Sequence, residues 1–269
     1  MRKLKEVGLK DFLIRSLILI NLYKMNRVLL IFTFCILLNP ILAQQQKTPI
    51  KILFVGNSFT FFWNMPQLVS AMAESQGVSI NSYQSTVSGS SLEQHWKGEK
   101  GSLTRKKIDE NNWDYVVLSD HSLKTIDAPE KFREYGKKFI DLVRSKGAEP
   151  IFMITWSYKD NPSMQKIISK EYIKLANDFN VKVFPVGPIW DAIRKDNSNI
   201  DLYFDNKHPS SAGSYLIALI ITKSLTGKSL KDIPKRLFKT DEKGEKFYLS
   251  FISSSNSKYL KEFVDKSIK

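Results

Sequence analysis

The sequence predicts an α/β fold built on a parallel sheet, and three observations predict it. Short apolar runs such as Ile52–Val55 suit strands buried on both faces. Stretches with helical spacing separate these runs, and strands alternating with helices place helices on both faces of a parallel sheet. The 269 residues, 42% of them hydrophobic, suffice for one such domain with a sizeable core, but not comfortably for two.

Residues 1–43 stand apart. Arg27 precedes the apolar run Val28–Leu38, and Ile41-Leu42-Ala43 ends the segment with Ile at −3 and Ala at −1. A basic start, an apolar centre and a small-residue end make a secretory signal peptide cleaved after Ala43. An uncleaved anchor is the alternative, but the run is short against the roughly 20 residues of a bilayer span. Upstream, Phe12–Ile20 is a second apolar patch broken by Arg15, and Met25 is the expected true start. The chain is thus expected to be exported, to the periplasm or beyond, with no stable membrane insertion after cleavage. Cys35, the one cysteine, falls inside the leader and in no lipoprotein cleavage pattern. Residues 44–269 therefore form no disulfide and no thiol site. The net charge of +14 drops to +9 without the leader. Its basic clusters, among them Arg105-Lys106-Lys107, are interleaved with acids and match no nucleic-acid motif, so a solvated basic surface is expected and no nucleic-acid partner.

Residues 44–49 form a linker, and the domain of 50–227 follows. Its first strand stops on Gly56-Asn57-Ser58, which sets a hydroxyl at the carboxyl end of the sheet, where open α/β folds keep their ligand crevices. An aromatic turn, Phe59–Asn64, leads to a helix over 65–77 with Met65, Leu68, Val69 and Met72 on one face. Val78–Ser85 alternates like a strand, and a loop with Gly89 follows. His95, in a polar stretch, is expected at the surface. Trp113–Ser119 is the third strand, trailed by Asp120-His121-Ser122. An amphipathic helix spans 129–146 and stops at Gly147. Pro150–Trp156 is the fourth strand, with Trp156 either at the crevice or in the core. A helix over 164–180, a fifth strand over 181–187 and a helix from Pro188 come next. Pro209 suits the first turn of a helix running from Ser210 to Gly227. Residues 228–269 are expected as a peripheral helical tail.

Gly56-Asn57-Ser58-Phe59-Thr60 resembles the first motif of the SGNH (GDSL-like) hydrolases, with Asn where many members carry Asp. Asp205-Asn206-Lys207-His208, 147 residues on, has the Asp-x-x-His form of their last motif. The chemistry explains the second motif. A Ser hydroxyl needs a base to take its proton, and a carboxylate three residues before the His holds that base in one tautomer. The resemblance implies a three-layer α/β/α sandwich, flavodoxin-like, with a central five-stranded parallel sheet. It implies Ser58 as nucleophile, His208 as base and Asp205 as its orienting acid. It also implies an oxyanion hole from the backbone N–H groups of Ser58 and Gly89. Where many members carry Gly-x-Asn-Asp, this chain has no Asn. It looks more like a subgroup with Leu-Gln-x-x-Ser, which puts Ser119 in the Gln position as a third donor, with His121 and Ser122 as substitutes. Asn57, His121 and Trp156 are the expected substrate contacts. An α/β-hydrolase elbow is excluded, since position 60 is Thr where that motif needs Gly. The three histidines are widely spaced, so neither metal nor cofactor is implied. The resulting expectation is a secreted ester hydrolase acting on an ester substrate such as an acylated polysaccharide. Its rivals are a glycan-binding protein on a decayed site and an acyltransferase with the same triad.

Overall fold

The computed structural model describes residues 48–268, together with Tyr23, which is helical and exposed. The chain divides into two units, 1–47 and 48–269, and the sheet, its helices and the candidate site all belong to the second. The leader, its cleavage point and most of the linker lie outside the described residues.

Five strands form one sheet: β1 (Ile50–Gly56), β2 (Ile80–Thr86), β3 (Tyr115–Leu118), β4 (Glu149–Met153) and β5 (Lys182–Phe184). They run in the order β2-β1-β3-β4-β5, all parallel. Helices cover both faces, as an α/β/α sandwich requires. β1 shows why its run is apolar throughout. Ile52 and Phe54 enter one core and Leu53 and Val55 the other, all buried. The first core holds α2 (Met65–Ser75), α8 (Val186–Asp196) and α9 (Ser211–Thr226); the second holds α6 (Pro129–Ser145) and α7 (Met164–Asp178). Between them in the chain come α1 (Ser58–Phe61), α3 (Leu92–Lys97), α4 (Thr104–Asp109) and α5 (Lys124–Asp127), all short. The fifth strand is shorter than its pattern. Pro185 has no N–H to continue the ladder, and α8 starts at once behind it.

Residues 228–269 differ from the helical tail that was expected. They form an antiparallel hairpin, β6 (Arg236–Thr240) and β7 (Lys246–Phe251), and then α10 (Ser254–Ser267). They are not peripheral either. Leu237, Leu249, Ile252, Leu260 and Val264 are buried in the same core as α9. The cause lies in α9, which is buried on every side from Gly213 to Lys223. A helix that apolar needs cover on its outer face as well as against the sheet. Tyr215 of α9 meets Ser257 of α10 at 3.1 Å, and Lys223 pairs with Asp265 at 3.1 Å.

Candidate active site

Three loops at the carboxyl ends of β1, β2 and β3 meet the turn that precedes α9. The first is tight. A Cβ on Gly56 would sit 2.4 Å from both Ser119 Oγ and Thr60 Oγ1, so only glycine fits there. Asn57 then caps α1: its Oδ1 accepts from the Phe59 N–H (3.0 Å) and its Nδ2 donates to Ser90 O (3.0 Å). The cap places Ser58 in the first turn of α1, with 6% of its surface exposed.

The partner turn is closed by the backbone. The Phe204 N–H donates to His208 O (2.8 Å), and Tyr203 bridges Pro209. Inside it, Asp205 Oδ1 accepts the N–H groups of Lys207 (2.8 Å) and His208 (2.7 Å). Asp205 Oδ2 faces His208 Nδ1 at 2.7 Å, and His208 Nε2 faces Ser58 Oγ at 2.9 Å. A carboxylate can only accept, so Nδ1 carries the proton and Nε2 is left to accept from the Ser58 hydroxyl. Desolvation works to raise the Asp205 carboxyl. The imidazole and the two backbone N–H bonds outweigh it and hold the group well below the usual carboxylate range. Its side chain is 45% exposed, so much of that field is shared with water.

Aromatic rings fix the imidazole. Phe62 lies flat on it (centroids 4.5 Å apart, planes at 7°), and Phe59 meets it edge-on at 5.9 Å. Phe59 stacks on Trp156, which stacks on Trp190, each at 4.5 Å. Trp156 was one of the expected substrate contacts, but it is fully buried. Its Nε1–H donates to Lys207 O (2.9 Å), so it supports the His208 turn from below. Beyond Phe62, Trp63 and Asn64 both have φ 53°. The left-handed region costs an L-residue on the order of 1–2 kcal/mol, with Asn paying less.

A cavity of about 120 Å³ opens beside Ser58 and His208, lined also by Gly89, Ser88, His121, Ser122 and Lys207. Gly89 has φ 60°, a conformation that favours glycine. Among the described residues, neither the Ser58 nor the Gly89 N–H donates to an acceptor. His121 Nδ1 accepts from the Leu123 N–H (3.3 Å), which puts the ring proton on Nε2 as a free donor. Burial, with Lys207, Lys124 and Lys100 nearby, pushes the His121 pKa down and keeps the ring neutral. A larger hollow beside Tyr83 and Trp113, about 240 Å³, brings no nucleophile and base together.

Three other expectations fail on geometry. Ser119 does not reach the cavity: its hydroxyl meets Thr60 Oγ1 (3.1 Å) and Val55 O (3.4 Å) beneath Gly56. Asn57 borders the cavity, but both ends of its amide are already spent on backbone, so it positions loops instead of contacting substrate. His95, expected at the surface, is 1% exposed. Its Nε2 donates to Gly56 O (2.8 Å), and its Nδ1 lies 2.8 Å from the Ser102 hydroxyl and 2.7 Å from that of Thr104, a mutually bonded pair of which one donates to it. Its short polar helix gave no sign of this, because the hydroxyls that satisfy it come from the next loop. The pattern also passed over Asp120. Its Oδ1 accepts from the Leu92 N–H (2.9 Å) and the His121 N–H (2.7 Å), which ties the third loop to the second. Burial pushes this carboxyl up to about 7.

No protein-family model matches the sequence, and no curated protein matches it. Solved structures do. The chain is similar to a DUF4886 family protein from Bacteroides uniformis (19% identity, 82% of this chain and 95% of that one, TM-score 0.67). It is similar to a candidate SGNH hydrolase from Slackia heliotrinireducens (24% identity, 66% and 100%, TM-score 0.57). An acetyl xylan esterase also matches (16% identity, 65% and 100%, TM-score 0.53).

Proposed function

We infer, starting from a fold that is that of the SGNH hydrolases, that the protein is a serine ester hydrolase that removes a short acyl group, acetyl in the first place, from an alcohol. The continuous chain Ser58 Oγ–His208 Nε2 and His208 Nδ1–Asp205 Oδ2 carries this reading. Ser58 Oγ attacks the acyl carbonyl as its proton passes to Nε2, and Asp205 stabilises the imidazolium that forms. The oxyanion takes hydrogen bonds from the unspent N–H groups of Ser58 and Gly89, each worth about 3–4 kcal/mol in such sites. His121 Nε2–H supplies a third donor in place of Ser119. His208 returns the proton to the departing alcohol oxygen, and water then cleaves the acyl-enzyme by the same steps in reverse order. A cavity of about 120 Å³ beside Ser58 suits an acetyl group. Export, with cleavage after Ala43 and a linker over 44–49, is part of the same proposal and places the enzyme among envelope or extracellular esters.

The test is turnover of p-nitrophenyl acetate by the protein beside Ser58→Ala and His208→Ala. Each variant should lose a factor of about a thousand or more, as for loss of a triad member. Equal background rates in all three would overturn the reading.

A further inference from the structure

An aromatic ridge stands against His208, and none of its rings lines the acyl cavity. Phe62 covers the imidazole, and Phe204, next in the chain to Asp205, lies 6.5 Å from Phe62 and 6.3 Å from Trp63. Phe204 is 65% exposed and Trp63 45%. Large rings grouped in water beside a reacting centre differ from scattered surface apolars. This group is also held in place. Trp63 and Asn64 keep left-handed backbones, and the Trp63 Nε1–H donates to Pro209 O at 2.9 Å, which locks the indole. Strain kept at one exposed ring beside a nucleophile points to use.

We propose that Phe62, Trp63 and Phe204 form a sugar-ring subsite that holds the alcohol part of the ester, so that the substrate is an O-acylated pyranoside. The proposal rests on the ester-hydrolase function above. The alcohol oxygen must receive its proton from His208 Nε2, so the alcohol lies at His208, where these rings are. A pyranose presents an apolar C–H face to stack on a ring and a rim of hydroxyls to bond. Asn64, an exposed amide that follows Trp63, supplies a donor and an acceptor for that rim, and the exposed Asn206 adds its Nδ2 donor, its Oδ1 already accepting from the Asp160 N–H (3.1 Å). A long acyl chain would need no such amides.

The test compares kcat/KM for methyl tri-O-acetyl-β-xylopyranoside with kcat/KM for ethyl acetate, which has no ring. Phe204 is the residue to change, because Trp63 also braces the Pro209 backbone. In Phe204→Ala the pyranoside-to-ethyl-acetate ratio should fall about ten-fold, through KM, as for loss of one stacked ring. Phe204→Trp should restore it. An unchanged ratio overturns the subsite. So does a fall confined to ethyl octanoate, which assigns the rings to an acyl chain. Failure of the hydrolase reading would look different, as wild type turning over neither ester. The subsite is then judged by tryptophan fluorescence with xylohexaose: quenching that Phe204→Ala removes upholds it, and no quenching overturns it.

Discussion

Asp205→Asn removes one charge and one acceptor while keeping the shape of the turn. The asparagine Oδ1 still accepts from the Lys207 and His208 N–H groups, which now bond at 2.8 and 2.7 Å. Folding stability should therefore change by about 1 kcal/mol or less. Catalysis should not be spared. An NH2 group replaces Oδ2, and it donates toward Nδ1. The imidazole then shifts its proton to Nε2, and a protonated Nε2 cannot take the Ser58 proton. In a serine protease with a buried Asp, the same change costs about 10⁴ in kcat. Asp205 is 45% exposed, so the charge component is screened while the tautomer component persists. A loss of about 10²–10³ results, or roughly 3–4 kcal/mol at about 1.36 kcal/mol per decade. Initial rates on p-nitrophenyl acetate from pH 4 to 9, with thermal unfolding alongside, measure both parts. The wild-type acid limb should report one proton, not two, because Asp205 stays ionised well below the usual carboxylate range. A variant within ten-fold of wild type at pH 7–8, with unchanged Tm, would refute this role of Asp205.

Further expectations concern the frame of the site. Asp120, buried and raised to about 7, keeps its proton in the fold where the unfolded chain, with a pKa of about 3.9, loses it. Its contribution to stability is full below about pH 4 and falls as pH rises toward 7, by a few kcal/mol at most. Urea unfolding at pH 4.5, 6 and 7.5 should show that slope, and Asp120→Asn should flatten it; parallel slopes would count against the buried carboxyl. Asn57→Ala removes a helix cap, for about 1 kcal/mol, and frees the Ser58 loop from Ser90, so ester turnover should drop ten-fold or more with only a modest change in Tm. Leu260→Ala should cost about 2–5 kcal/mol in urea unfolding, because Leu260 is fully buried against the α9 core. A cost below about 0.5 kcal/mol, the range of surface changes, would mean the tail is peripheral after all.

What was legible in the sequence was whatever depends on neighbours along the chain. The apolar run of β1, the helical spacing of α2, α6 and α7, and the Asp-x-x-His turn are local patterns, and the structure places each as an element of that type. The sequence also suggested that Ser58 and His208, 150 residues apart, meet, but only through resemblance, since no spacing rule spans that distance. The errors share one cause. Trp156 and His95 were judged by their chain neighbours, and Ser119 and Asn57 by their place in a motif, yet each is defined by a partner from elsewhere: Lys207 O for Trp156, Gly56 O for His95, Thr60 Oγ1 for Ser119 and Ser90 O for Asn57. The tail was misjudged likewise, because the need it meets belongs to α9.

Under the proposed function, these same partners account for an oxyanion side that lacks the Asn which the SGNH resemblance led one to expect after the third strand. Gly56 O is the hub. It accepts from the Val87 N–H (3.1 Å), the Ser90 hydroxyl (3.2 Å) and His95 Nε2 (2.8 Å). Asn57 adds a bond from the nucleophile loop to Ser90, and Asp120 adds one that joins the third loop to Leu92 while holding the His121 N–H within its own loop. The two unspent N–H donors, on Ser58 and Gly89, thus sit on loops cross-braced by buried side chains. Preorganised donors gain their effect from not having to move as charge develops. Where backbone donors are braced in this way, a third side-chain donor adds to the hole but is not what holds it open. Accordingly, His121→Ala should lower ester turnover by no more than about ten-fold. Loosening the brace at Asn57 should cost at least as much, although Asn57 offers no free donor to the substrate.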